Sequence, residues 1–366
     1  MTPMRIFQNA GIYPAYLPRL RGLTKGANSF SAALDVFMED RFGACHHLQP
    51  IDERHESAFF TNGDDCVLQS FWARENGLPT GAGLEQILLA QIEAHRTEIF
   101  YNLDPMRYGR DFLRRLPGCV KHSVAWRAAP SGDVDLGGYD VIVCNFPQIL
   151  RGYEAKGWRA GYLSPGYDPV TDRFCANEVR PIDIVFVGGY SRHHRRRALV
   201  LEAVARLAGR YRVAFHLDCS RLTRLAESPL GLLPPLVGHR RPLVIREVAA
   251  PPVFGLQLYE ELGRARVVLN GAVDMAGSGR GNMRCFEAMG CGALMVSDSG
   301  DYPEGMLDGR TMFTYSDADD AVRVIEAALS SPDGGREVAR LGARLVRERY
   351  NKAAQWQAFQ RIVGSL

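Results

Sequence analysis

Short runs of β-branched and aromatic residues alternate along the chain with longer stretches in which apolar residues recur every three or four positions. That alternation predicts parallel strands covered by helices. In the first half the strand-like runs are Arg5–Gln8, Cys45–Pro50, Cys66–Ser70, Glu98–Asn102, Cys119–Trp126, Asp140–Asn145 and Ala160–Ser164. Gly83–His95 is the clearest helix among them. A second series comprises Ile182–Gly188, Tyr211–Asp218, Leu243–Glu247, Arg266–Asn270, Ala293–Asp298 and Thr311–Tyr315. Between the two, LSPGYDPVTDRFCANEVRP is rich in turn formers and predicts a linker near residues 165–180. The expected fold is α/β, with two Rossmann-like domains facing across a central cleft. Residues 1–170 would form the first domain, 171–350 the second, and 351–366 a C-terminal helix that crosses back to the first.

Sheets of this kind bind ligands at the carboxyl ends of their strands, so the residues that follow each strand matter most. IDIVFV runs into GGYSRHHRRRALV. Gly188 and Gly189 let the backbone approach a ligand, and a helix starting near Ser191–Arg192 favours an anion at its amino end. Arg192, Arg195, Arg196 and Arg197 oppose that helix dipole, which calls for a compensating anion, and a phosphate is the simplest. A solvated basic face accounts for the same run equally well. The segment is neither a P-loop nor a GxGxxG fingerprint.

The same arrangement recurs after RVVLN. A loop, GAVDMAGSGRGN, leads into the helical MRCFEAM, and Glu287 stands one turn inside that helix. A carboxylate there can accept hydrogen bonds from vicinal hydroxyls, as acidic residues do for ribose in dinucleotide folds. Arg280 and Arg284 are placed to meet a diphosphate. A salt bridge is the structural alternative for Glu287.

The stretch from GRGNMRCFEAMGCGALMVSDSG through RLVRERYNKAAQWQAF resembles the nucleotide-binding core of GT-B glycosyltransferases. Within these it is similar to the group of CgeB-like spore-maturation proteins, relatives of the family 4 retaining enzymes. The resemblance covers most of residues 181–350 and is weaker over 1–165, where it rests on YDVIVCNF and the LSPGYDP linker. It implies that Glu287 binds the ribose, that Gly188, Gly189 and Arg192 line the diphosphate, and that Asn282 and Arg284 sit near the phosphates or the donor sugar. Arg196, Asn270, Arg280 and Gly281 complete the nucleotide-sugar site by position, and Arg284 would also serve the chemical step. One residue departs from the family 4 pattern: the second glutamate, eight positions before Glu287, is Gly279 here.

The activity so implied moves a sugar from a nucleotide-diphosphate donor, a UDP-sugar favoured, to a hydroxyl of a glycan, cell-envelope polysaccharide or protein, with retention. Departure of the diphosphate builds negative charge that helix amino ends and arginines can stabilise. No Asp-x-Asp pair follows a strand, since Asp133 and Asp135 lie in a Gly/Ser/Pro loop, so metal-independent catalysis is expected, with no cofactor. An inverting reaction would need a base on the first domain. His46, His47, Asp104 and His122 are candidates, with a structural role the stronger reading of each. Gly11 and Tyr13 in the loop after the first strand, together with Trp126, are candidates for acceptor contact. An epimerase or phosphorylase on the same fold, or a sugar-nucleotide-binding protein without turnover, remains open as an alternative.

Composition adds limits. With 46% apolar and 23% charged residues over 366 positions the chain is typical of globular proteins. A net charge of +3 gives no case for nucleic acid. Eight scattered cysteines without metal-ligand spacing fit reduced thiols in a cytoplasmic protein. No apolar run is long enough to span a bilayer, which leaves peripheral membrane contact open. The oligomeric state is undetermined by sequence.

Overall fold

The computed structural model describes residues 4–191, 194–232, 236, 239–271 and 277–366. The chain divides into two compact units: Met1–Gly166 with Met275–Gly279 and Tyr350–Leu366, and Tyr167–Asp274 with Arg280–Arg349.

The first unit is built on a six-stranded sheet of order β2-β1-β3-β4-β5-β6, parallel throughout. The strands are β1 (Ile6–Asn9), β2 (Ala58–Thr61), β3 (Ile99–Asn102), β4 (His122–Trp126), β5 (Val141–Cys144) and β6 (Ala160–Tyr162). Helices cover both faces, so β1, β3 and β5 are buried at every position. Pairing in register sets Asn9 beside Asn102, and the Asn9 amide donates to Asn102 Oδ1 at 2.9 Å. Asn102 in turn donates to the Tyr139 hydroxyl at 2.6 Å, and Gly63 N donates to Asn9 Oδ1 at 2.9 Å. This buried polar chain fixes the loops that leave β1, β2 and β3.

Two expected strands of this unit are helical instead. Cys45–Pro50 forms a tight turn, Ala44–His46, followed by the short helix Gln49–Asp52 with Pro50 in its first turn. The backbone groups of this segment are claimed by side chains rather than by a neighbouring strand. Gln8 binds His46 O and Leu48 N at 3.0 and 3.2 Å, Lys352 donates to Ala44 O and to His47 O (2.7 Å), and Gln355 donates to Cys45 O at 2.9 Å. Cys66–Ser70 belongs to the helix Cys66–Glu75, because Asp65 caps it by accepting from Val67 N (3.0 Å) and Leu68 N (3.3 Å). Asp65 also pairs with Arg21. Asp65→Ala should therefore cost at least about 1 kcal/mol, read as a lower denaturant midpoint at unchanged m value.

The helix Lys352–Val363 is part of this first unit. Asn351 caps it, and Lys352, Gln355, Phe359 and Val363 form its buried stripe. The Phe359 ring packs on Tyr101 with centroids 5.0 Å apart.

The second unit repeats the architecture with order β12-β11-β10-β7-β8-β9, again parallel. Its strands are β7 (Ile182–Gly189), β8 (Val213–Asp218), β9 (Ala249–Ala250), β10 (Ala265–Leu269), β11 (Leu294–Asp298) and β12 (Phe313–Tyr315). Leu243–Glu247 is not a strand but the start of the helix Leu243–Val248, in which Ile245 and Val248, three apart, are buried and Leu243 faces out. The expected linker contains two short helical turns, Pro169–Thr171 and Asp172–Cys175. All eight cysteines are free thiols, with Cys45, Cys144, Cys285 and Cys291 buried.

Candidate functional site

In the second unit, β7, β10 and β11 lie side by side and deliver three loops to one end of the sheet. β7 ends in Gly188–Gly189, β10 is followed by Asn270–Gly271, and β11 ends at Asp298. Two helices begin over these loops, Arg195–Ala205 and Met283–Gly290, and among the described residues neither has a side-chain cap on its first amides. Uncapped amides and the helix dipole attract negative charge.

Arg197 turns inward from the first of these helices. Its guanidinium lies over the Phe186 ring, 5.0 Å from the centroid, and its Nε is buried with no hydrogen-bond partner. Burial pulls its pKa down, and the nearby Arg284 charge adds to this. Gly188 makes room for it: a Cβ there would sit 2.6 Å from the Arg197 guanidinium. Arg196, by contrast, points out and donates to Ser316 O at 2.6 Å. Arg192 lies outside the described residues.

The second helix supplies Arg284 and Glu287, paired at 2.6 Å with side chains 17% and 5% exposed. The Arg284 Nε is buried and unpartnered. Burial raises the Glu287 pKa, Arg284 opposes the rise, and the neighbouring Asp168 carboxylate adds to it. The salt bridge that sequence left as the structural alternative is thus present, on a carboxylate buried deeply enough to be costly when ionised.

Asn282 precedes this helix and donates to Asn270 Oδ1 at 3.2 Å. Asn270 itself is buried and engaged with Ser297 Oγ at 3.1 Å, while its carbonyl accepts from the Tyr315 hydroxyl at 2.7 Å. Asn270 therefore builds the floor of the site. Arg280 pairs with Asp298 at 2.6 Å, both nearly buried. Gly281 has φ +107°, a conformation that favours glycine, and turns the loop into the helix.

In the first unit the carboxyl ends of β2, β1, β3 and β4 carry Asp64, Gly11, Asp104 and Trp126 in that order along the sheet. A Cβ on Gly11 would stand 3.0 Å from Asp104 Oδ2. Asp104 pairs with Arg107 at 3.1 Å, and Arg107 reaches Asp64 at 3.6 Å. Both Asp64 oxygens accept from Ile12 N, at 3.0 and 3.1 Å. Burial raises the Asp64 pKa, against its bond from Ile12 and the charge of Arg107. Tyr13 is 48% exposed on the same loop. The Trp126 indole is buried against the His46 ring, centroids 4.5 Å apart.

His122 requires a correction. It is the first residue of β4, so it lies at the amino end of the sheet, one strand length from Asp104 and Trp126. The histidines His46 and His47 are poor bases, since burial first and the Lys352 charge second hold His46 at about 3 and push His47 well down. Asp64 and Arg107 are outside the sequence-based expectation, since β2 is only the four residues AFFT, too short a run to predict a strand and so a site behind it.

With this geometry in place, residues 192–361 match the family described as glycosyl transferase-like. The whole chain superposes on solved GT-B glycosyltransferases. The Anabaena protein HepE, solved with UDP and glucose, is 12% identical with a TM-score of 0.58, and all of both chains is covered. Sucrose-phosphate synthase from Thermosynechococcus elongatus gives 11% and 0.57, again over the full length of both. AviGT4, a glycosyltransferase of avilamycin A biosynthesis, gives 15% and 0.56 over 100% of this chain and 99% of that one. No curated protein matches the sequence. The fold is therefore that of the GT-B glycosyltransferases. The basic end of the second sheet is made by the matched segment from Arg196 to Asp298, with Gly188 and Gly189 just ahead of it.

Proposed function

We propose that this protein is a glycosyltransferase that moves a sugar from a nucleoside diphosphate sugar, a UDP-sugar favoured, to a hydroxyl of a glycan or protein acceptor in the cytoplasm, with retention and without a metal. The observation that carries the reading is the pair of buried guanidinium groups, Arg197 and Arg284, each with an unpartnered Nε, gathered where two uncapped helices begin. Such a cluster is unfavourable when empty and favourable around a diphosphate. In the transfer, the bond from the anomeric carbon to phosphate oxygen breaks and its electron pair leaves with the diphosphate. The acceptor oxygen bonds the same carbon and gives up its proton to an oxygen of the departing diphosphate. Arg197, Arg284 and the helix amides would hold the departing charge, and Glu287 would accept from the ribose hydroxyls. Asp64 and Asp104 would accept from acceptor hydroxyls, with Tyr13 and Trp126 beside them. Among the described residues no group of three or more His, Cys, Asp and Glu side chains is placed to hold a metal. The HepE complexes with UDP and with UDP-glucose support the donor class by likeness of fold.

Thermal unfolding with UDP, GDP, ADP, CMP and TDP tests this. At a hundredfold excess over Kd, binding adds about 2.7 kcal/mol, several degrees in midpoint, and EDTA should leave the shift with UDP unchanged. A set of nucleotides none of which raises the midpoint would count against the reading, as would activity lost to EDTA. Proton spectra of the product's anomeric centre decide retention. Binding without transfer to any acceptor would favour the non-catalytic alternative.

A further inference from the structure

The helix Arg221–Glu227 of the second unit buries one residue, Ala226. At 100° per residue its outward arc of about 160° carries Arg224, Arg221, Leu225 and Leu222, all exposed. Leu222 is 50% and Leu225 42% exposed, high values for leucines side by side. The one carboxylate of the helix, Glu227, is taken by Arg241 through two contacts of 2.6 Å. That bond ties the start of the next helix, Leu243–Val248, to the end of this one. Leu243 there is 61% exposed, whereas Arg246, one turn further on, is half-buried and its charge acts on Glu227. Arg221 and Arg224 form no ion pair among the described residues.

Exposed leucines flanked by unpaired arginines match neither side of an ordinary solvated helix. A second copy of the chain would bring the same positive charges into opposition. A surface rich in anionic lipid headgroups fits both features: arginines meet phosphates while leucines enter the boundary between headgroups and acyl chains. We infer that Leu222 and Leu225, with Arg221 and Arg224, form a docking face for an anionic phospholipid bilayer. No described helix is long and apolar enough to cross a membrane, so contact of this kind would be peripheral. The inference does not depend on the transfer reaction.

Cosedimentation of the full chain with vesicles provides the test. Phosphatidylcholine vesicles containing about one-third phosphatidylglycerol should bring the protein down, and pure phosphatidylcholine vesicles should not. Raising salt to about 0.5 M should weaken binding by screening. Arg221→Glu with Arg224→Glu should lower partitioning at least tenfold, and Leu222→Ser with Leu225→Ser should do likewise. In both variants the thermal midpoint should stay unchanged, because the replaced side chains are exposed. Equal partitioning onto both vesicle types, or variants that bind like the parent, would overturn the inference. A doubled mass in solution without vesicle binding would assign the face to a second copy instead.

Discussion

Replacing Arg197 by methionine should raise the melting temperature of the ligand-free protein and weaken UDP binding in the same step. The guanidinium is buried over Phe186 and forms no ion pair with a carboxylate among the described residues; burial depresses its pKa against the opposing charges of Tyr315 and Asp298, so the charged form works against folding. A ring contact of this kind returns about 0.5–2 kcal/mol, less than the several kcal/mol that an uncompensated buried charge costs. Methionine fills similar volume without the charge. Binding moves the other way. Hydrogen bonds to charged groups contribute about 1.5–3 kcal/mol, a factor of roughly 10–150 in Kd. Calorimetry of UDP binding and thermal unfolding of the same two preparations decide the matter. Gly188→Ala should give the same loss of affinity, because its added carbon would displace the Arg197 guanidinium. If Arg197→Met lowers the melting temperature and leaves Kd alone, the residue is structural.

Glu287→Gln should weaken UDP binding by roughly 10–100-fold, the loss expected when an ionised acceptor of two hydroxyl hydrogen bonds becomes neutral. Its stability effect depends on pH, and the sign follows from burial. Glu287 has a folded pKa above its ordinary value of 4.5. Ionisation therefore disfavours the folded state: this penalty is absent below 4.5 and complete once pH has passed the raised value. Between those limits the parent protein should lose stability relative to Glu287→Gln as pH rises, measured by denaturant unfolding of both. Ribose hydroxyls donating to the carboxylate would lower its pKa again. UDP binding should then release protons in that window and tighten with rising pH, which calorimetry in buffers of different ionisation enthalpy detects. An affinity for UDP unchanged in the variant would leave Glu287 only its bond to Arg284.

What the sequence carried and what it concealed differ by residue. β7, β10 and β11 are continuous apolar runs because a parallel sheet is covered on both faces, and that pattern survives in the sequence. The glycine-to-helix transitions at Gly188 and Gly281 were legible because each glycine has a steric reason to be there. Which arginine of the run faces inward was not. Arg196 and Arg197 are neighbours 100° apart on one helix, and tertiary packing alone sends the first to Ser316 and the second to Phe186. The run Cys119–Trp126 concealed where β4 begins, and that decides which end of the sheet His122 occupies. Cys45–Pro50 has strand-like composition, yet partners distant in sequence, Lys352 and Gln355, hold its backbone. Such pairings leave no local trace.

The return of Tyr350–Leu366 to the first unit bears on how the polypeptide is made. On the ribosome, the carbonyls of Ala44, Cys45 and His47 emerge early, but the ammonium and amide groups that bind them come some three hundred positions later. Nascent chains commonly complete domains in the order of synthesis. Here the amino-terminal unit must wait, open at that edge, until translation has passed the whole of its partner.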